Sequence, residues 1–357
     1  MSKERENNFD LLRILCTIGV ILLHISSIFM NGVTDETSLG GLYQQYTWEV
    51  CLFYVAPRFA VPCFVMLSGA FILADGRNAD FGFFYKKSWK RLGIPTLIFS
   101  AGYTIFSIMK SVISCGGVFT PDMVIEPLKY WAVGFPYYHM WYLYMLIGLY
   151  VMAPAVILVR QHVSEKAFEL AAWVLLAVGC LSGMTSTYTF FWDFGYSFCY
   201  LGYFMLGYVL RKKFLVKKYN THGICMIFCG ILIEYAMAIL WYNQAVIGEM
   251  ATFFNYSIIE PLSPMTACAA ILIFMGFARL DIKINFGRAA EDTFLIYLIH
   301  AAFVTVYHAG IRHYMGVEAD ARIMIPLGVI VIYAASGVFA RAWEESYSRI
   351  VKRKEKI

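Results

Sequence analysis

Apolar residues run through this chain in repeated blocks of eighteen or more, and polar residues gather between the blocks. Soluble helices show a narrow apolar stripe, and soluble strands alternate. Blocks of this length match the reach of a helix across a bilayer. They predict ten transmembrane helices, at 10–30, 48–74, 92–112, 139–159, 167–184, 193–211, 222–242, 256–278, 291–309 and 323–344. The expected fold class is therefore all-α, a polytopic transmembrane bundle in a single membrane domain over 1–357. No internal repeat, low-complexity linker or soluble domain interrupts it. The longest stretch on the outer side, 113–138, holds Gly116, Gly117, Pro121, Pro127 and Pro136 and predicts a short interfacial helix or a lid.

Composition agrees with a lipid solvent. Of the 357 residues, 60% are hydrophobic and only 15% charged, against roughly a quarter charged in soluble domains. The net charge of +5 is a topology signal, because the basic residues are split among loops that hug the membrane. Of 29 Lys and Arg, 22 fall in segments on one side and 4 on the other. The basic-rich side is the cytoplasmic one, so both termini face inward and the tail "RIVKRKEKI" lies against anionic lipid. This distribution excludes a nucleic-acid footprint. The first apolar block is long and lacks a small-residue cleavage site, so it reads as a retained span. The nine cysteines lack zinc or redox spacing, nearly all fall within spans, and they read as small buried side chains. No metal site is expected.

Ionisable residues inside spans are costly in lipid and mark functional candidates. In "FDLLRILCTIGVILLH", Asp10 and Arg13 suit a membrane surface, whereas His24 lies roughly 16 Å deeper at about 1.5 Å per residue. Arg13 and His24 are close to three turns apart and share a face. The imidazole reads either as a helix-packing hydrogen-bond group or as a general base, the side chain whose pKa suits that work. His300 in "FLIYLIH" reaches similar depth one turn after Tyr297, as a structural pair or a second functional group. His139 in "YYHMWYLY" opens the fourth span, where aromatics also form an interfacial girdle. Trp141, Tyr142 and the outer "YTFFWDFGY" have faces for stacking on sugars, or form that girdle. Arg58, between Pro57 and Pro62, sits in a stretch expected to kink, and Glu260 is a candidate counter-ion for it. In "GFFYKKSWKRLGIP", Lys86, Lys87, Lys90 and Arg91 recur at helical spacing, as a topogenic cluster or as a phosphate clamp for a donor such as coenzyme A. The small pair Ser68-Gly69 reads as a close helix approach.

Together these residues resemble the integral-membrane acyltransferase type 3 family. The resemblance rests on Asp10-Leu11-Leu12-Arg13 followed by His24, and on "VPCFVMLSGAFIL", "KKSWKRLGIP", "HMWYLYMLIGLYVMAP", "YFMLGYVL" and "FLIYLIH", in order from residue 9 to about 300. It implies a ten-span fold and transfer of an acyl group, other than aminoacyl, to sugars, cell-wall polymers or other extracytoplasmic acceptors. By position, Arg13 and His24 match the family's essential pair, and His139 and His300 match recurrent motif histidines. The basic stretch has lysines where the family favours arginines. Without an appended SGNH-type domain the chain resembles stand-alone members.

The resulting expectation is a bacterial inner-membrane O-acetyltransferase that uses cytoplasmic acetyl-CoA or another acyl-CoA and acylates a glycan or lipid-linked sugar. His24, Arg13 and Asp10 are the catalytic candidates. His139, Trp141, Tyr297, His300 and Glu260 are catalytic or acceptor-binding candidates, and Arg58, Lys87, Lys90 and Arg91 are donor-binding ones. Two rivals stand beside it, an exporter of polysaccharide or lipid-linked sugar and a non-catalytic module that binds a small molecule.

Overall fold

The computed structural model describes residues 6–34, 47–184, 195–215, 219–243, 257–315 and 319–354. Among these there are helices and turns and no strand. Eight helical stretches are long and apolar enough to cross a bilayer, and a shorter apolar helix, Pro264–Arg279, adds to them. Each of the ten predicted spans overlaps helix among the described residues, and the chain is an all-α, multi-pass membrane protein.

The first span is α1 (Asn7–Thr34), unbroken because no proline enters it. The second predicted span is two helices, α2 (Thr47–Val55) and α3 (Ala60–Ile72). Pro57 lacks the amide that would continue the ladder, and residues 56–59 form turns. The basic stretch is itself helical. The helix α4 (Phe81–Ser88) runs through a π-helical turn at Trp89–Gly93 into α5 (Ile94–Ser114). Asp80 caps α4 by accepting from the Phe83 amide at 2.8 Å. The outer stretch does contain a short helix, α6 (Asp122–Ala132), before α7 (Trp141–His162) and α8 (Glu165–Met184). The sixth span is broken at Tyr200 into α9 (Gly195–Cys199) and α10 (Leu201–Phe214). Then come α11 (Asn220–Tyr242), α12 (Pro264–Arg279), α13 (Gly287–Tyr314) and α14 (Ala321–Lys354). The helix α12 starts later than predicted. Ser263 accepts from the Thr266 amide at 3.1 Å and Pro264 takes the first helical position, which fixes the start there.

The helices group into two compact units, Met1–Phe64 with Leu210–Ile357, and Val65–Val209. In the first, α1 packs on α2, α13 and α14, and α11 packs on α12 and α2. Ile21 and Ile25 of α1, Val50 and Val55 of α2, and Ile325 and Ile332 of α14 share its apolar core. In the second, α3 and α10 approach backbone to backbone. A side chain at Gly69 would strike the Phe204 carbonyl, and one at Gly207 would strike that of Met66. Gly69 of the Ser68-Gly69 pair thus serves packing, as its size suggested.

The cysteines divide. Cys16, Cys51, Cys63 and Cys180 are buried as expected, but Cys115, Cys225, Cys229 and Cys268 are exposed on the protein. A lipid-facing thiol is as compatible with hydrocarbon as a buried one, so span membership did not imply burial for Cys225, Cys229 and Cys268, and Cys115 lies outside the predicted spans.

Candidate active site

The residues singled out on α1 lie near its start and about three turns further on. Near the start, Asn8 donates through Nδ2 to the Phe277 carbonyl at 2.8 Å, and Glu6 pairs with Arg211. These contacts anchor the turn that carries Asp10 and Arg13. Asp10 is buried, and its Oδ1 accepts from Arg13 Nη1 at 3.2 Å while the guanidinium stays half-exposed. The pair leaves a partly solvated cation at this end of the helix.

Three turns on, His24 is half-buried, although its neighbours Ile21 and Ile25 are fully buried. Its ring stacks on that of His300 of α13, with centroids 5.3 Å apart and planes 26° apart. The two histidines that the sequence placed at similar depth on different spans therefore meet face to face. His300 is fully buried, and its Nδ1 lies 2.6 Å from the Tyr297 carbonyl. A carbonyl only accepts, so Nδ1 carries the proton and Nε2 is the ring's accepting position. The Tyr297 ring lies 5.4 Å from that imidazole. One turn of α13 thus sets the tautomer of the second histidine and supports its ring.

Arg58 sits in the break that Pro57 opens. It is only 8% exposed, its Cζ lies 4.3 Å from the Tyr54 ring centroid, and its charge acts on His24. Its Nε and Nη2 make no hydrogen bond among the described residues. The carboxylate that answers this cation is Glu234 of α11, 2% exposed and in electrostatic reach of Arg58, without a direct ion pair. Glu260 was the expected counter-ion. It lies in the turn before α12, half-buried, with no ion pair among the described residues. Pro264, close by, takes the first helical position of α12. Glu234 was overlooked, although the rule that flagged His24 also flags a carboxylate inside "ILIEYAMAIL".

The remaining candidates belong to the second unit. His139 is 1% exposed, edge-on to Tyr103 at 4.9 Å and to Tyr138 at 5.6 Å. Trp141 lies edge-on to Tyr196 at 5.6 Å. Tyr142 is buried and offers no face to a sugar, which corrects the expectation for that ring. Most of "YTFFWDFGY", residues 188–194, falls outside the described residues. Lys87 is half-buried and reaches Asn78 Oδ1 at 3.4 Å, whereas Lys90 and Arg91 lie exposed in the π-helical turn. That turn inserts a residue into the helical period, so these two are rotated relative to Lys87.

A family model described as an acyltransferase domain matches residues 6–341, nearly the whole chain. No curated protein and no solved structure matches it.

Proposed function

Because the chain belongs to this acyltransferase domain family, we propose that it is an O-acetyltransferase, moving an acetyl group from cytoplasmic acetyl-CoA to a hydroxyl of an outward-facing glycan or lipid-linked sugar in a bacterial inner membrane. The observation that carries the reading is the stacked His24–His300 pair deep in α1 and α13, with the Asp10–Arg13 pair nearer the start of α1. In the direct route, His24 takes the proton of the acceptor hydroxyl. The oxygen attacks the thioester carbonyl carbon, the carbon–sulfur bond breaks, and the proton passes to the departing thiolate. His300 holds the plane of His24. Arg58, whose Nε and Nη2 make no hydrogen bond among the described residues, stabilises the negative charge that builds on the carbonyl oxygen. Arg13 supplies charge for the donor phosphates.

The test uses the purified protein in proteoliposomes with labelled acetyl-CoA inside and cell-envelope glycan outside. Label is expected in an alkali-labile ester on the glycan. General acid–base groups contribute about 10²–10⁴-fold, so His24→Ala should lower the rate by at least 100-fold. Undiminished transfer by His24→Ala removes this histidine from the chemistry, and no transfer to any envelope fraction overturns the assignment and favours the exporter reading.

A further inference from the structure

Outside the histidine site, the second unit carries a groove of about 600 Å³ where the end of α5 meets α6. That volume falls in the range of small-molecule sites. One wall is α5, with Ser107 and Ser111 on the same face, and the other is α6, with Asp122, Glu126 and Tyr130. Tyr137 closes one end and is stacked on Tyr103, centroids 4.6 Å apart and planes 19° apart. The walls are fixed by the backbone. Gly116 and Gly117, at φ of 66° and 87°, turn the chain out of α5, and Gly134, at 78°, turns it out of α6. The Gly117 amide donates to the Val112 carbonyl at 2.9 Å, and that of Gly134 to Trp131 at 3.0 Å.

The lining alternates hydroxyls, carboxylates and aromatic rings, and it includes no lysine or arginine. Glu126 is held by Lys129 at 2.7 Å, whereas Asp122 forms no ion pair among the described residues. Such a surface suits a ligand with hydroxyl donors for a carboxylate, oxygens for serine hydroxyls and an apolar ring face for tyrosine. A pyranose has all three on one ring. An anionic chain would meet two carboxylates, Asp122 and Glu126, that share the ammonium of Lys129, so the balance of charge is against it.

We propose that this groove is a saccharide subsite selective for uncharged or amino-bearing pyranose units over acidic ones. It rests on the proposed function only for its role as the docking place of the outward acceptor. Binding is measured without acyl donor, so either idea fails alone. The full-length protein in nanodiscs is titrated with labelled chitotetraose, the chitosan tetramer and tetragalacturonate. The first two should saturate and the acidic oligomer should not. Asp122→Asn and Tyr130→Ala, both at exposed positions, should each weaken chitotetraose about tenfold. Ser111→Trp fills the groove and should abolish binding at unchanged melting temperature. Binding of none of the three oligomers, preference for tetragalacturonate, or wild-type affinity in Ser111→Trp overturns the proposal. Saccharide binding with no acetyl transfer leaves the subsite standing and removes the acyl reading.

Discussion

Arg58 lies where a guanidinium is hardest to keep, almost wholly buried and, among the described residues, without a direct ion pair. Glu234 balances its charge at a distance, and Tyr54 covers its face. A buried cation stripped of its balancing carboxylate is strongly destabilising, whereas removing both charges together is often tolerated. Glu234→Leu and Arg58→Met should therefore each cost about 3 kcal/mol of folding stability, and the double variant should recover most of that loss. Activity separates structural from chemical roles. If Arg58 stabilises negative charge on the substrate, the double variant melts near the wild-type temperature yet transfers acetyl no faster than Arg58→Met. A double variant that regains both would reduce the pair to packing. His24, His300 and Arg58 were legible as residues because an ionisable side chain within an apolar block announces itself. Their grouping was not, since nothing in one sequence says which spans are neighbours. Glu234 follows from the same rule and was eclipsed by the proline-flanked Glu260.

At the level of the element, the helices are interrupted where backbone hydrogen bonding fails, and these interruptions were unevenly readable. Pro57 predicts the break between α2 and α3, and Ser263-Pro264 is a capping signal that sets the start of α12. The break at Tyr200 has no such residue at it, so the sixth predicted span was drawn as continuous. The approach of α3 to α10 depends on absent side chains. Gly207→Ala places a methyl group against the Met66 carbonyl, and the two helices must separate to admit it. Overpacking of this kind costs about 1–3 kcal/mol, and the variant should melt lower in detergent. Gly102, where a methyl group meets nothing within 4 Å, provides the contrast. Gly102→Ala should melt at or slightly above the wild-type temperature, through its better helix propensity. Equal melting of both variants would remove backbone contact as the reason for glycine at position 207.

For the whole molecule, the distribution of charge predicts which side of the membrane each loop faces, and native cysteines report on it. The 22 to 4 division of basic residues assigns the stretch after α5 to the outer side. Cys115 lies there, just past Ser114, and is exposed. Cys225 and Cys229 on α11 and Cys268 on α12 are exposed too, but they lie within apolar helices, where a bilayer would cover them. A maleimide needs a thiolate, and thiolates form in water, not among lipid tails. A sulfonated, membrane-impermeant maleimide added to intact cells should therefore label chiefly Cys115, and Cys115→Ser should lose most of that signal. An inverted protein would label only after the membrane is opened. It would also present the groove between α5 and α6 to the cytoplasm, where no envelope glycan reaches it. Cys115 thus tests the premise shared by the acceptor subsite and the proposed direction of transfer, before any substrate is known.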